Sequence, residues 1–146
     1  MGFVLTLHSI VRWLVVIVAV IAVVRYALVM AGKAQSSGMD RGLMSGYTGL
    51  LDLNVLLGLI IIVGLSIGAG QVLMVWIEHA VTNIIGVVAA HFFAQRAKKV
   101  EEAKLKARTN LLGVVISLAI IVVGVALVGG WARYAAWRVS VQKRRT

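Results

Sequence analysis

Four apolar blocks, each long enough to cross a bilayer, set what this chain can fold into. About 20 predominantly apolar residues span the hydrocarbon core as a helix. The blocks cover residues 4–30, 43–67, 72–95 and 111–131 of a 146-residue chain. Short connections between apolar helices make antiparallel neighbours. The expected fold class is therefore all-α membrane: an antiparallel four-transmembrane-helix bundle, with residues 1–146 as a single transmembrane domain. Composition agrees. Hydrophobic residues make up 61% of the chain and charged residues 14%, with a mean hydropathy of +0.99; a soluble domain is about half apolar and a quarter charged. Disordered, collagenous, disulfide-stapled and ordinary water-soluble classes are excluded. The chain also has no proline, where average usage of about 5% would give roughly seven. Its spans are uninterrupted by proline kinks, so side chains keep fixed depths.

The connections carry the topology. A polar Gly/Ser-rich loop, 32–41, follows the first span, and Gly68-Ala69-Gly70 makes a tight turn after the second. Residues 96–108 read as a charged, solvated helical loop, with Thr109 or Asn110 as the expected cap of the fourth span. A basic tail, 132–146, ends the chain. The first and third loops hold Lys33, Arg41, Arg96, Lys98, Lys99, Lys104, Lys106 and Arg108, and the second holds no charge. The positive-inside rule then predicts cytoplasmic charged loops and termini outside. Arg133, Arg138, Lys143, Arg144 and Arg145 in the tail oppose that orientation, but the loops flank three spans and weigh more. Trp13, Trp76, Trp131 and Trp137 all map to the terminal side, as an interfacial aromatic belt. The net charge of +10 flanks apolar spans, so it suits anionic headgroups of the lipid bilayer and implies no nucleic acid partner.

Zero Cys rules out iron–sulfur ligation, c-type haem attachment, zinc thiolates and palmitoylation. No secretory signal is expected, because the first apolar block contains Arg12, runs too long for an h-region and lacks an obvious Ala-x-Ala site. Met1-Gly2 with Thr6 matches a loose myristoylation pattern, but the next residues already enter a span.

Ionisable residues inside a membrane are costly, and each marks a functional hypothesis. His8 lies about four residues into span one, and His79 about seven into span three from the same side. At about 1.5 Å of rise per residue their depths differ by about 5 Å. Two histidines at matched depth, on spans taken as antiparallel neighbours, are what a bis-imidazole haem b needs. Arg12, one turn beyond His8, is expected to pair with a haem propionate or an internal partner, or to snorkel to the headgroups. Glu78 points elsewhere on its helix, toward Arg12, Arg133 or the outer interface. His91 is about 18 Å along the helix from His79 and about 120° around it. It therefore cannot share that haem. Its open roles are a second haem completed by a Met, an open position or another subunit; a quinone hydrogen bond; or a structural bond to Asp52 or a backbone carbonyl. Asp52, near the bilayer centre, is expected to pair with Arg25 or to serve a proton relay. Gly58, Gly64, Gly68, Gly113, Gly124 and Gly129 are expected to permit close helix packing, with Gly64…Gly68 as a small-xxx-small match. Span four has no ionisable residue across its apolar centre and reads as a wall.

The order Leu7-His8-Ser9…Arg12-Trp13, then Asp52-Leu-Asn-Val-Leu-Leu-Gly58-Leu, then Glu78-His79, then His91 with Arg96-Ala-Lys98, spans nearly the whole chain. It resembles a family of small four-helix bacterial inner-membrane proteins loosely called cytochrome B. The resemblance implies haem b as cofactor, one or two per chain, with His8, His79 and His91 as candidate ligands to iron. It also implies a multi-pass location in the bacterial inner membrane. Family members usually carry Pro after the Glu-His pair, where this chain has Ala80.

The first functional expectation is a b-type cytochrome-like electron carrier working between a quinol and a partner, since bis-His iron leaves no position open for substrate. The alternative is a non-catalytic structural or anchor subunit of a larger membrane complex, in contact with other subunits or further copies of itself. A transporter or proton channel using Asp52 and the histidines comes third, because the broken helices of transporter sites are missing. An electron carrier or subunit is expected over a stand-alone enzyme.

Overall fold

A computed structural model describes residues 2–70 and 74–127. Four helices fill them: α1 (Gly2–Met30), α2 (Gly38–Ala69), α3 (Met74–Lys98) and α4 (Ala103–Leu127). All four are long and apolar enough to cross a membrane. Each helix packs against its neighbours in chain order and α4 closes back on α1, with α3–α4 the most extensive pairing and α2–α3 the lightest of the four. This is the up-down ring of an antiparallel bundle.

Polarity cannot choose the inward face of a helix that is apolar all round, so side-chain size chooses it. On α1 the buried residues are Val11, Val15, Ala19, Ala22, Tyr26 and Val29, a helical stripe with alanines at its centre. Ile10, Ile17 and Val24, spaced by seven, are about half exposed on the opposite face, the one a bilayer would cover. Glycine does the same between α3 and α4. A Cβ on Gly113 would lie 2.6 Å from Phe93 Cβ, and one on Gly86 would lie 2.8 Å from Ile121 Cγ1. Small residues let membrane helices approach closely, and dispersion then holds them. Gly124 is also tightly packed, against Thr82 and Asn83, whereas a Cβ on Gly68 would meet nothing within 4 Å. The Gly64…Gly68 match therefore makes no close approach at Gly68, and Gly129 lies outside the described residues.

The helix ends depart from the apolar blocks. Residues 96–108 do not form one helical loop: α3 runs to Lys98 and α4 starts at Ala103, with a short turn at 99–102 between them. Thr109 and Asn110 lie inside α4 and cap nothing; Thr109 Oγ1 donates back to Leu105 O at 2.9 Å. α2 likewise starts before its apolar block. There Ser37 N–H donates to Asp40 Oδ2 at 2.8 Å, half of a capping box. Its far end is closed by Gly70 at φ 66°, the left-handed conformation that favours glycine at helix ends.

Candidate functional site

His8 of α1 and His79 of α3 line one small pocket. Its wall is completed by Asn54, Val55, Gly58, Leu59 and Ile62 of α2 and by Ala80 and Asn83 of α3. Helices α1 and α3 run parallel across the bundle diagonal, not as antiparallel neighbours, because two helices in an alternating bundle that are separated by one other point the same way. Matched depth survives this correction, since both helices enter from the same side.

Each imidazole is fixed by a helix other than its own. His8 Nδ1 lies 3.1 Å from Asn54 O of α2, and His79 Nδ1 lies 2.9 Å from Gly124 O of α4. A carbonyl oxygen only accepts, so both Nδ1 atoms carry the proton and donate. In the neutral rings that leaves the lone pair on Nε2, the arrangement a metal-ligating histidine adopts when its other nitrogen is held by a carbonyl. Asn83 Nδ2 donates to His79 O at 2.6 Å. The amide also packs against the His79 imidazole from one turn along α3, 3.2 Å from Nδ1 and 3.4 Å from Nε2. Gly58 makes room on the other side: a Cβ there would lie 3.4 Å from His8 Cε1. Asn54 and Asn83 are site residues that sequence reasoning left without a role, although both polar amides stood in apolar spans.

No protein-family model, curated protein or solved structure matches the chain.

A larger cavity of about 180 Å³ adjoins the histidine pocket and shares Asn54, Val55 and Asn83 with it. Arg12 and Trp13 line it, together with apolar residues of all four helices, so Arg12 lies beside the His8–His79 region. Asn54 Oδ1 is buried there without a hydrogen-bond partner among the described residues. Glu78 is exposed on the outside of α3.

His91 lies elsewhere. Its Nε2 is 2.9 Å and 3.1 Å from the two Asp52 oxygens, joining α3 to α2. One of the alternatives open for His91, the bond to Asp52, is thus the arrangement found. The expected Arg25–Asp52 pair is not formed. Arg25 Nε instead meets Asp40 Oδ1 at 2.7 Å, and its Nη2 donates to Gln35 O at 2.6 Å. The reason is depth. Arg25 is five residues from the end of α1, about 8 Å, whereas Asp52 is fourteen residues into α2, about 21 Å.

The donor chemistry of His8 and His79 fits a bis-imidazole haem. The space between them is far tighter than such a group needs: the pocket they line holds only about 20 Å³ and the adjoining cavity about 180 Å³, whereas ligand pockets run to about 300–1,000 Å³. Admitting a macrocycle requires helices to separate, and α2–α3 is the lightest seam of the ring.

Proposed function

We propose that this chain is a membrane b-type cytochrome-like protein, in which His8 and His79 hold one haem b and electrons pass between a membrane quinol and a partner. The observation that carries the reading is the pair of carbonyl-anchored imidazoles lining one intramembrane pocket. When bound, haem supplies reversible one-electron chemistry. The chain's own residues do the rest. Asn54 O and Gly124 O orient the two rings and select the tautomer in which Nε2 carries no proton. Gly58 leaves the His8 ring its place, and Arg12, one turn further along α1, offers a guanidinium to a carboxylate on the bound group. The resemblance to the cytochrome B family of small inner-membrane proteins supports the same reading. It carries with it a bacterial inner-membrane location, with charged loops cytoplasmic and termini outside. His91 ligates no iron in this reading, because its Nε2 is engaged by Asp52.

The second reading, a structural subunit of a larger complex, draws on the fact that each histidine makes one hydrogen bond that ties two helices together. Titrating haem into the purified protein separates the two. The electron-carrier reading predicts a low-spin spectrum that is lost in both His8→Ala and His79→Ala. If His91→Ala abolishes it while His79→Ala leaves it intact, the ligand pair is misassigned; saturable haem uptake that no histidine variant alters favours the subunit.

A further inference from the structure

Asp52 and His91 form a carboxylate–imidazole dyad on the outer surface of the bundle. Their side chains keep 51% and 44% of their exposure, although both lie within membrane-spanning helices. His91 is five residues before Arg96, the first charged residue after the apolar block, and so about 8 Å inside its end. A polar pair facing hydrocarbon at that depth is expensive to leave uncovered. The side chains around it are apolar and open: Leu56 is 56% exposed, Val88 60% and Phe92 58%.

We infer that this dyad is the binding point for the ring hydroxyl of a membrane quinol. The inference rests on the electron-carrier reading and gives its quinol a place. Asp52 takes up His91 Nε2, and His91 Nδ1 makes no hydrogen bond among the described residues. With Nε2–H donated to the carboxylate, Nδ1 is an acceptor for an O–H approaching from the lipid. The carboxylate also stabilises the imidazolium that forms if the proton follows, the logic of any base held by an acid partner. The ligand must reach the dyad through hydrocarbon, lie among Leu56, Val88 and Phe92, and present a hydroxyl. A neutral ring with an apolar tail meets all three demands. A charged solute fails the first two.

Decylubiquinol titrated into the full chain in quinone-free nanodiscs tests this, with the ¹⁵N resonances of labelled His91 as readout. Saturable binding that shifts His91 resonances is expected, with affinity lowered at least tenfold in His91→Gln and in Asp52→Asn. Binding that leaves His91 unshifted, binding undiminished in both variants, or no binding would overturn the assignment. So would cross-links showing a second copy seated over Asp52. The wild-type resonance shift needs no variant to fold, and circular dichroism checks the helix content of the two that are made. The titration runs with or without haem. A protein that binds haem but no quinol therefore defeats this inference and the quinol as donor while the haem ligation stands, and one that binds quinol but no haem defeats only the electron-carrier reading.

Discussion

Gly58 separates the catalogue of polar residues from a site. Its Cα hydrogen faces the His8 ring, and a methyl there reaches ordinary contact distance, 3.4 Å from Cε1. Gly58→Ala should therefore keep His8 in place, while the branched Gly58→Val should push the ring off Asn54 O. In a haem titration the alanine variant is expected to bind within about threefold of wild type. The valine variant should lose at least tenfold, about 1.4 kcal/mol. Equal binding by both would show that the His8 position is not what the site depends on. Gly113 is less forgiving, since Phe93 Cβ is the root of its side chain and cannot swing away from a new methyl 2.6 Å distant. Gly113→Ala should destabilise by about 1–3 kcal/mol through overpacking. Gly68→Ala, in open space, should change stability by no more than about 0.5 kcal/mol. Thermal unfolding of both variants in the same detergent checks the contrast.

Among the elements, the start of α2 depends on a polar network more than on apolar burial. Asp40 accepts from Arg25 Nε and from Ser37 N–H, and Tyr26 Oη donates to Asp40 O at 2.8 Å. The Arg25 and Asp40 side chains are only 16% and 10% exposed, so the pair is largely withdrawn from water. Asp40→Ala should weaken this end of the bundle by about 1.5–3 kcal/mol, the range for hydrogen bonds to charged groups. Hydrogen exchange should rise at residues 37–42 and not at the centre of α2; uniform exchange along α2 would contradict a local role. This network also marks where sequence reasoning stops. Apolar blocks locate spans well because the bilayer fixes their length. They locate helix ends poorly, because Lys, Arg and Glu are good helix formers and carry α3 and α4 beyond the hydrocarbon. The Arg25–Asp52 pair is expected from reach alone, whereas the earlier start of α2 brings Asp40 to Arg25's height. The His8–His79 depth match was legible for the opposite reason: both are counted from the same side. Their carbonyl partners were not, since Asn54 O and Gly124 O are backbone atoms brought there by neighbouring helices.

At the scale of the whole molecule, the ring of four helices puts both inter-helix charged segments at one end and the Gly70 turn at the other. The absence of native cysteine makes the orientation directly measurable. A single Ser36→Cys should react with an impermeant maleimide only when inverted vesicles expose the cytoplasmic side. Labelling of intact spheroplasts would reverse the assignment and give the basic tail the deciding weight. A proline-free bundle holds its histidines at fixed depths whichever way it faces, so the haem reading does not depend on that result. The most direct test is the absorption spectrum of the protein purified from haem-replete cells. The account predicts red protein whose reduced form shows the α-band of low-spin haem b and whose spectrum is lost in His8→Ala and His79→Ala. Colourless protein that stays unchanged when haem is added would contradict it.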